Sequence, residues 1–135
     1  MTDCIFCKII SGEAPAHKLY EDDHVVAFLD IFPSVLGHTL VVPKKHSENV
    51  LGLDSREAEA AVAAIQKIAP GIVKAVGAEG FNIGCNTGKA AGQIILHTHF
   101  HILPRREGDG KKMWGQMDPK PDLSVLSGTI RAELG

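Results

Sequence analysis

Histidine recurs at every second position in His97-Thr98-His99-Phe100-His101, inside the run from Gln93 to Arg105. The β-branched and aromatic neighbours predict a strand over residues 94–103, where positions i, i+2 and i+4 share one face and three imidazoles stand in a row. A helix would scatter them around more than half its circumference. Neutral imidazole is a metal ligand, a base and a nucleophile near neutral pH, so the row points to metal ligation, proton transfer or nucleophilic attack. His-x-His on a strand also suits catalytic zinc. A strand whose histidines are incidental is the plainer alternative.

The chain has 135 residues, 44% of them hydrophobic, sufficient for one domain over residues 1–135 with a real core. A formal net charge of −2 gives no general attraction to nucleic acid or to an anionic membrane. No apolar run approaches the ~18 residues of a membrane span, and Met1-Thr2-Asp3-Cys4 lacks the basic start of a secretory signal, so a cytoplasmic location is expected. Three cysteines are few and odd in number for a disulfide scaffold. A reducing compartment would leave Cys4 and Cys7 as thiols able to bind a metal.

Ile5 to Ile10 read as a short turn or helix, and Lys18 to Glu21 with Val25 to Leu29 as a hairpin around Asp22-Asp23. Thr39 to Val42 form a third strand, introduced by Gly37 and stopped by Pro43, which cannot donate to a sheet ladder. From a cap at about Ser55, the residues Val62, Ile65, Ala69, Ile72, Val73 and Val76 recur at helical spacing. Pro70 interrupts that pattern and predicts a kink or break. Phe81 to Asn86 and Ile94 to Leu103 supply two more strands, joined by a loop containing Gly88 and Gly92. Five strands and one main amphipathic helix make an α+β fold. Residues 107–123, rich in Gly, Lys, Asp and Pro, are the expected mobile segment.

With its flanks, Gly92-Gln93 before and Ile102-Leu103-Pro104-Arg105 after, the histidine run resembles the histidine triad family of nucleotide hydrolases and transferases. The resemblance extends to Cys4-Ile5-Phe6-Cys7, Asp30-Ile31-Phe32-Pro33, Gly37 to His46, Gly80-Phe81-Asn82-Ile83 and Asn86-Thr87-Gly88. It implies the histidine triad fold, a five-stranded antiparallel sheet with one main helix and a short N-terminal helix. It also implies a homodimer formed through the helix and the Phe81 strand.

The same resemblance implies roles. His99 matches the nucleophile that forms a covalent nucleotidyl-histidine, and a backbone carbonyl accepting from its other nitrogen would set the attacking tautomer. His101 matches the histidine that contacts the phosphate or leaving group. Gln93, Asn86 and the backbone near Gly92 resemble the phosphate contacts. Ile94 departs from the hydroxyl or acidic side chain that many relatives carry there. Asp30 and Ile31 match the ribose and base contacts, although Asp30 could equally cap a turn. Ile5, Phe6, Ile9, Phe28 and Leu29 correspond to the base pocket and are equally suited to a core. Cys4-x-x-Cys7 suits two zinc thiolates, and relatives with this pair complete the site with residues matching His46 and His97. Such a closed zinc would be structural. His17, His24 and His38 have no partner spacing and receive no role, and Arg105 and Arg106 are read as solvated strand-end charges or weak attractors of an anion.

These readings converge on an enzyme cleaving a purine nucleoside phosphoramidate or a dinucleoside polyphosphate at the α-phosphate. Two other classes stay open: a zinc-stabilised nucleotide-binding regulator with incidental hydrolysis, and a zinc hydrolase whose triad ligates the metal.

Overall fold

The computed structural model describes residues 3–135. Five strands, β1 (Lys18–Glu21), β2 (Val25–Leu29), β3 (Thr39–Pro43), β4 (Gly80–Gly84) and β5 (Phe100–Arg105), form one sheet in the order β1-β2-β3-β5-β4. Every neighbouring pair is antiparallel. The helices are α1 (Ile5–Ser11), α2 (Ser55–Ala75) and α3 (Leu123–Leu134). The five-stranded antiparallel α+β architecture is the expected one.

Every residue of β2 and β3 is buried, because both faces of the central sheet are covered. On one face Val25, Ala27, Leu29 and Val41 meet Ala61, Ile65, Ile68 and Ile72 of α2, with Ile130 of α3. On the other, Val26, Phe28, Leu40 and Val42 meet Phe6 and Ile9 of α1. Period two in the strands and the apolar stripe of α2 together sort these residues. α1 is started by the Cys4 side chain, which accepts from the Cys7 amide, and ended by Gly12 in the left-handed region. The cysteine pair is thereby held on one helical turn.

Several expectations need correction. The triad does not lie on one strand, since β5 begins only at Phe100 and residues 94–99 are irregular. The reason is bonding to another loop: the Thr98 amide donates to the Ser47 carbonyl at 2.8 Å, and the Ser47 and Thr98 hydroxyls meet at 2.7 Å. β4 ends at Gly84 instead of Asn86, and β3 includes Pro43, paired with Val25. The cap of α2 is Asp54, whose carboxylate accepts from the Glu57 amide at 3.0 Å. α2 runs unbroken through Pro70, which sits on the exposed side where water can satisfy the carbonyl that proline leaves without a donor. Val62 is 49% exposed, while Ala61 and Ala64 take the inward positions.

α3 is an addition to the expected elements. Asp122 caps it, and Leu123 and Ile130 face the α2 side of the core. Gly71 lets it approach α2, since a Cβ there would lie 2.6 Å from Leu134 Cδ2. No helix among the described residues is long and apolar enough to cross a membrane.

Candidate active site and metal centre

Cys4, Cys7, His46 and His97 converge, with their ligand atoms within 4.8 Å of one another. His97 Nδ1 lies 3.3 Å from Cys4 Sγ, 3.6 Å from Cys7 Sγ and 3.1 Å from His46 Nδ1, and Cys7 Sγ lies 3.4 Å from His46 Nδ1. Tetrahedral zinc, from its usual bond lengths, requires edges of about 3.5 Å between sulfur and nitrogen and about 3.3 Å between two nitrogens. The four residues fit that tetrahedron in donor type and spacing. His97 is fully buried and its Nε2–H donates to the Pro43 carbonyl at 2.8 Å, which leaves Nδ1 as the lone-pair nitrogen facing the cysteines. Burial lowers the His97 pKa and raises that of the Cys7 thiol. A cation between them would offset the second effect by favouring the thiolate.

His99 follows two residues later. Its Nδ1–H donates to the His97 backbone carbonyl at 2.7 Å, so the lone pair resides on Nε2. Burial lowers its pKa and favours the neutral ring that a nucleophile needs. The edge of Phe6 packs against both His97 and His99, with centroids 5.8 and 5.1 Å apart.

His101 belongs to a bonded chain that also sets its tautomer. The Ser34 amide donates to His38 Nδ1 at 2.9 Å, so the proton of neutral His38 sits on Nε2. That Nε2–H donates to His101 Nδ1 at 2.8 Å, so the proton of His101 sits on its own Nε2. Burial is the main cause that lowers His38 to a pKa of about 4 and His101 to about 3, which keeps both neutral. His101 Nε2 is buried and has no hydrogen-bond partner among the described residues. Its ring centroid is 4.9 Å from that of His99, so a free lone pair and a free N–H stand side by side. Asp30, His38 and His101 also cluster, but the 2.8 Å contact between the two rings is a hydrogen bond.

His38 was assigned no role from the sequence, yet it orients His101. Its only linear signal was its place between Gly37 and a strand, which does not reveal a partner 63 residues away. Trp114, which from the sequence could either pack on the domain or reach a partner subunit's site, packs edge-on against His101 of its own chain with centroids 4.7 Å apart.

The remaining expected residues are placed unevenly. Asp30 Oδ1 accepts from the Phe32 amide at 2.8 Å, the turn-capping alternative, and Oδ2 lies 3.5 Å from His38 Nε2. Ile31 is exposed beside it. Phe6, Ile9 and Phe28 are buried together on the α1 side, whereas Leu29 points to the α2 side of the sheet. Ile5 and Ile94 line an open recess of about 630 Å³ with Cys4, His46, Glu48 and Leu96, and Ile94 is 90% exposed. Gln93 Oε1 accepts from the Gly88 amide at 2.9 Å and its Nε2 donates to the Glu48 and Ile95 carbonyls. These bonds hold the loop between Gly88 and Ile95 in shape. Asn86 Nδ2 comes within 3.4 Å of where a Gly92 Cβ would stand. Arg105 pairs with Asp109 at 2.7 Å, and Arg106 donates to the Val76 and Gly77 carbonyls. Both serve the architecture.

A family model for the HIT domain matches residues 11–108. An uncharacterised HIT-like protein of Methanocaldococcus jannaschii is 52% identical over 108 residues, covering 80% of this chain and 83% of that one. The adenylylsulfatase HINT3 of Arabidopsis thaliana is 47% identical over 107 residues, covering 79% of this chain and 54% of its own length. Among solved structures, a zinc-bound histidine triad family protein from Mycobacterium smegmatis superposes with a TM-score of 0.90 at 39% identity, covering 98% of this chain and 94% of that one. On its motifs, its fold and these matches, the chain belongs to the HIT family.

Proposed function

We propose that this protein hydrolyses purine nucleoside phosphoramidates or dinucleoside polyphosphates at the α-phosphate through a nucleotidyl-His99 intermediate. The observation that carries the reading is the complementary pair at the centre of the site: a bare Nε2 on His99 beside a buried, unpartnered Nε2–H on His101. In the first step His99 Nε2 bonds to the α-phosphorus and the bond to the leaving nitrogen or oxygen breaks, the leaving group taking a proton from solvent as it departs. His101 Nε2–H donates a hydrogen bond to a phosphate oxygen or the leaving atom, in a site where a fixed donor needs no reorganisation. In the second step water attacks phosphorus, giving a proton to solvent, and the bond to His99 breaks, releasing the nucleoside monophosphate and the free imidazole. A relative named for adenylylsulfatase activity supports a nucleotide substrate. Asp30, Ile31 and the Phe6 side of the sheet are the nucleoside side of this reading.

We assign structural zinc to Cys4, Cys7, His46 and His97, supported by their spacing and by the zinc-bound relative. It would join the N-terminus to the His97 backbone, and no step of the reaction passes through it. His99 and His101 lie outside this set, which disfavours a triad-ligated catalytic zinc. A homodimer is supported by exposed Phe81 and Ile83 on the sheet-edge strand β4, together with exposed Val62 on α2. We read residues 1–135 as one cytoplasmic domain.

The test is AMP release from an adenosine phosphoramidate, a diadenosine polyphosphate and adenylyl sulfate by native protein and His99→Gly, with mass spectrometry for the adduct. Release that disappears in the variant supports the reading and ranks the substrates. AMP binding without release from any of the three would overturn it in favour of the regulator.

A further inference from the structure

His101 and Gly84 face each other across the β4–β5 ladder. A side chain at 84 would occupy the space in front of His101; glycine leaves it open, and Trp114 fills it. A Cβ built on Gly84 would lie 2.8 Å from Trp114 Cη2 and 2.7 Å from Met113 Cε. The indole then packs edge-on to His101, at 4.7 Å and 74°.

The segment carrying Trp114 is tied down beside the same relay. Ser34 Oγ donates to the Gly115 carbonyl at 2.7 Å and approaches the Gly115 amide at 3.2 Å, and the Met117 amide donates to the Pro33 carbonyl at 2.7 Å. Ser34 is also the residue whose amide sets the His38 tautomer. The chain of contacts closes on itself, from His101 through His38 and Ser34 to Gly115, then through Trp114 back to His101. Trp114 itself stays 46% exposed, which is more than core packing alone would leave to a large aromatic ring.

We propose that Trp114 is a positioning residue for His101, keeping water off its Nε2–H and holding the ring in the orientation that His38 sets. The inference rests on the proposed role of His101 as a donor to the phosphate or leaving group. A ring held by a single hydrogen bond can still pivot about it, and a buried N–H open to water would be satisfied before the phosphate arrives. An indole seated in the space of a missing side chain prevents both. Trp114 acts through His101, the donor to the reacting phosphate in that reading, so the effect falls on turnover more than on affinity.

The test compares Trp114→Ala, Trp114→Phe and native protein in two measurements. Nitrogen-resolved NMR of the histidine rings reports whether the His101 Nε2–H exchanges slowly with water, and steady-state kinetics separates kcat from KM. Expected are a protected N–H in native protein and Trp114→Phe, its loss in Trp114→Ala, and a tenfold or larger fall in kcat for Trp114→Ala with KM within about twofold. Phenylalanine should restore most of the turnover. Equal N–H protection in Trp114→Ala, or native kcat in that variant, would overturn the proposal. If native protein hydrolyses no nucleotide, the functional reading falls, and the exchange measurement alone decides whether Trp114 shields His101.

Discussion

The backbone carbonyl of His97 holds the ring of His99, accepting from its Nδ1 at 2.7 Å, while the His97 side chain points the other way into the cysteine pair. One residue therefore joins the proposed zinc cluster to the proposed nucleophile. Loss of zinc should loosen His99 without removing any reacting atom. Cys7→Ser is expected to lower zinc from one per chain, to lower the melting temperature, and to reduce turnover less than loss of His99 does. Metal analysis with calorimetry checks this; full zinc content in the variant would contradict the ligand assignment.

Replacing His99 by glycine should reduce turnover by on the order of a thousandfold or more, because no other imidazole of the site presents a bare nitrogen beside the His101 donor. His101→Gln should retain more activity, since it removes a donor and keeps the nucleophile. Single-turnover kinetics distinguishes the two. Equal loss in both would mean that His101 does more than donate.

Acid should weaken the fold through the His38–His101 pair. Both rings titrate near 6.5 when unfolded, and burial lowers them to about 4 and about 3 in the folded chain. Between pH 6.5 and 4 the unfolded chain binds more protons, so this stabilisation is fully present above 6.5 and is lost as pH falls through that window. Melting temperature should drop by several degrees from pH 7 to pH 5 with zinc in excess, and less steeply in His38→Gln. An unchanged slope in that variant would remove the pair as the cause.

Gly37 adopts φ +86°, and a Cβ there would lie 3.0 Å from Val76 Cγ1 and 3.1 Å from Pro104 Cγ. Backbone strain and overpacking act together, so Gly37→Ala should be less stable by about 2–3 kcal/mol. Urea unfolding at equilibrium measures it. A midpoint equal to that of native protein would show that the turn before His38 relaxes freely.

The linear pattern carried the make-up of the candidate site well. Alternating histidines announced an imidazole cluster, Cys4-x-x-Cys7 announced thiolates, and the apolar spacing of α2 marked its core face, because each is a short-range regularity along the chain. Pro70 does not break α2, since an exposed helix side tolerates what a buried one would not. The signals for α3 were present in Asp122 and in the spacing of Leu123, Leu126, Ile130 and Leu134, and were passed over in a tail that reads as loop. Other features were not legible at all. The break in the triad strand depends on bonds to Ser47, the orientation of His101 on His38, and the cover over it on Trp114 meeting Gly84. Such contacts join residues tens of positions apart and repeat with no period. The residue types gathered at the candidate site were determined by the sequence alone; which nitrogen is bare, which is protonated and which is shielded from water was decided only when the chain brought its distant partners together.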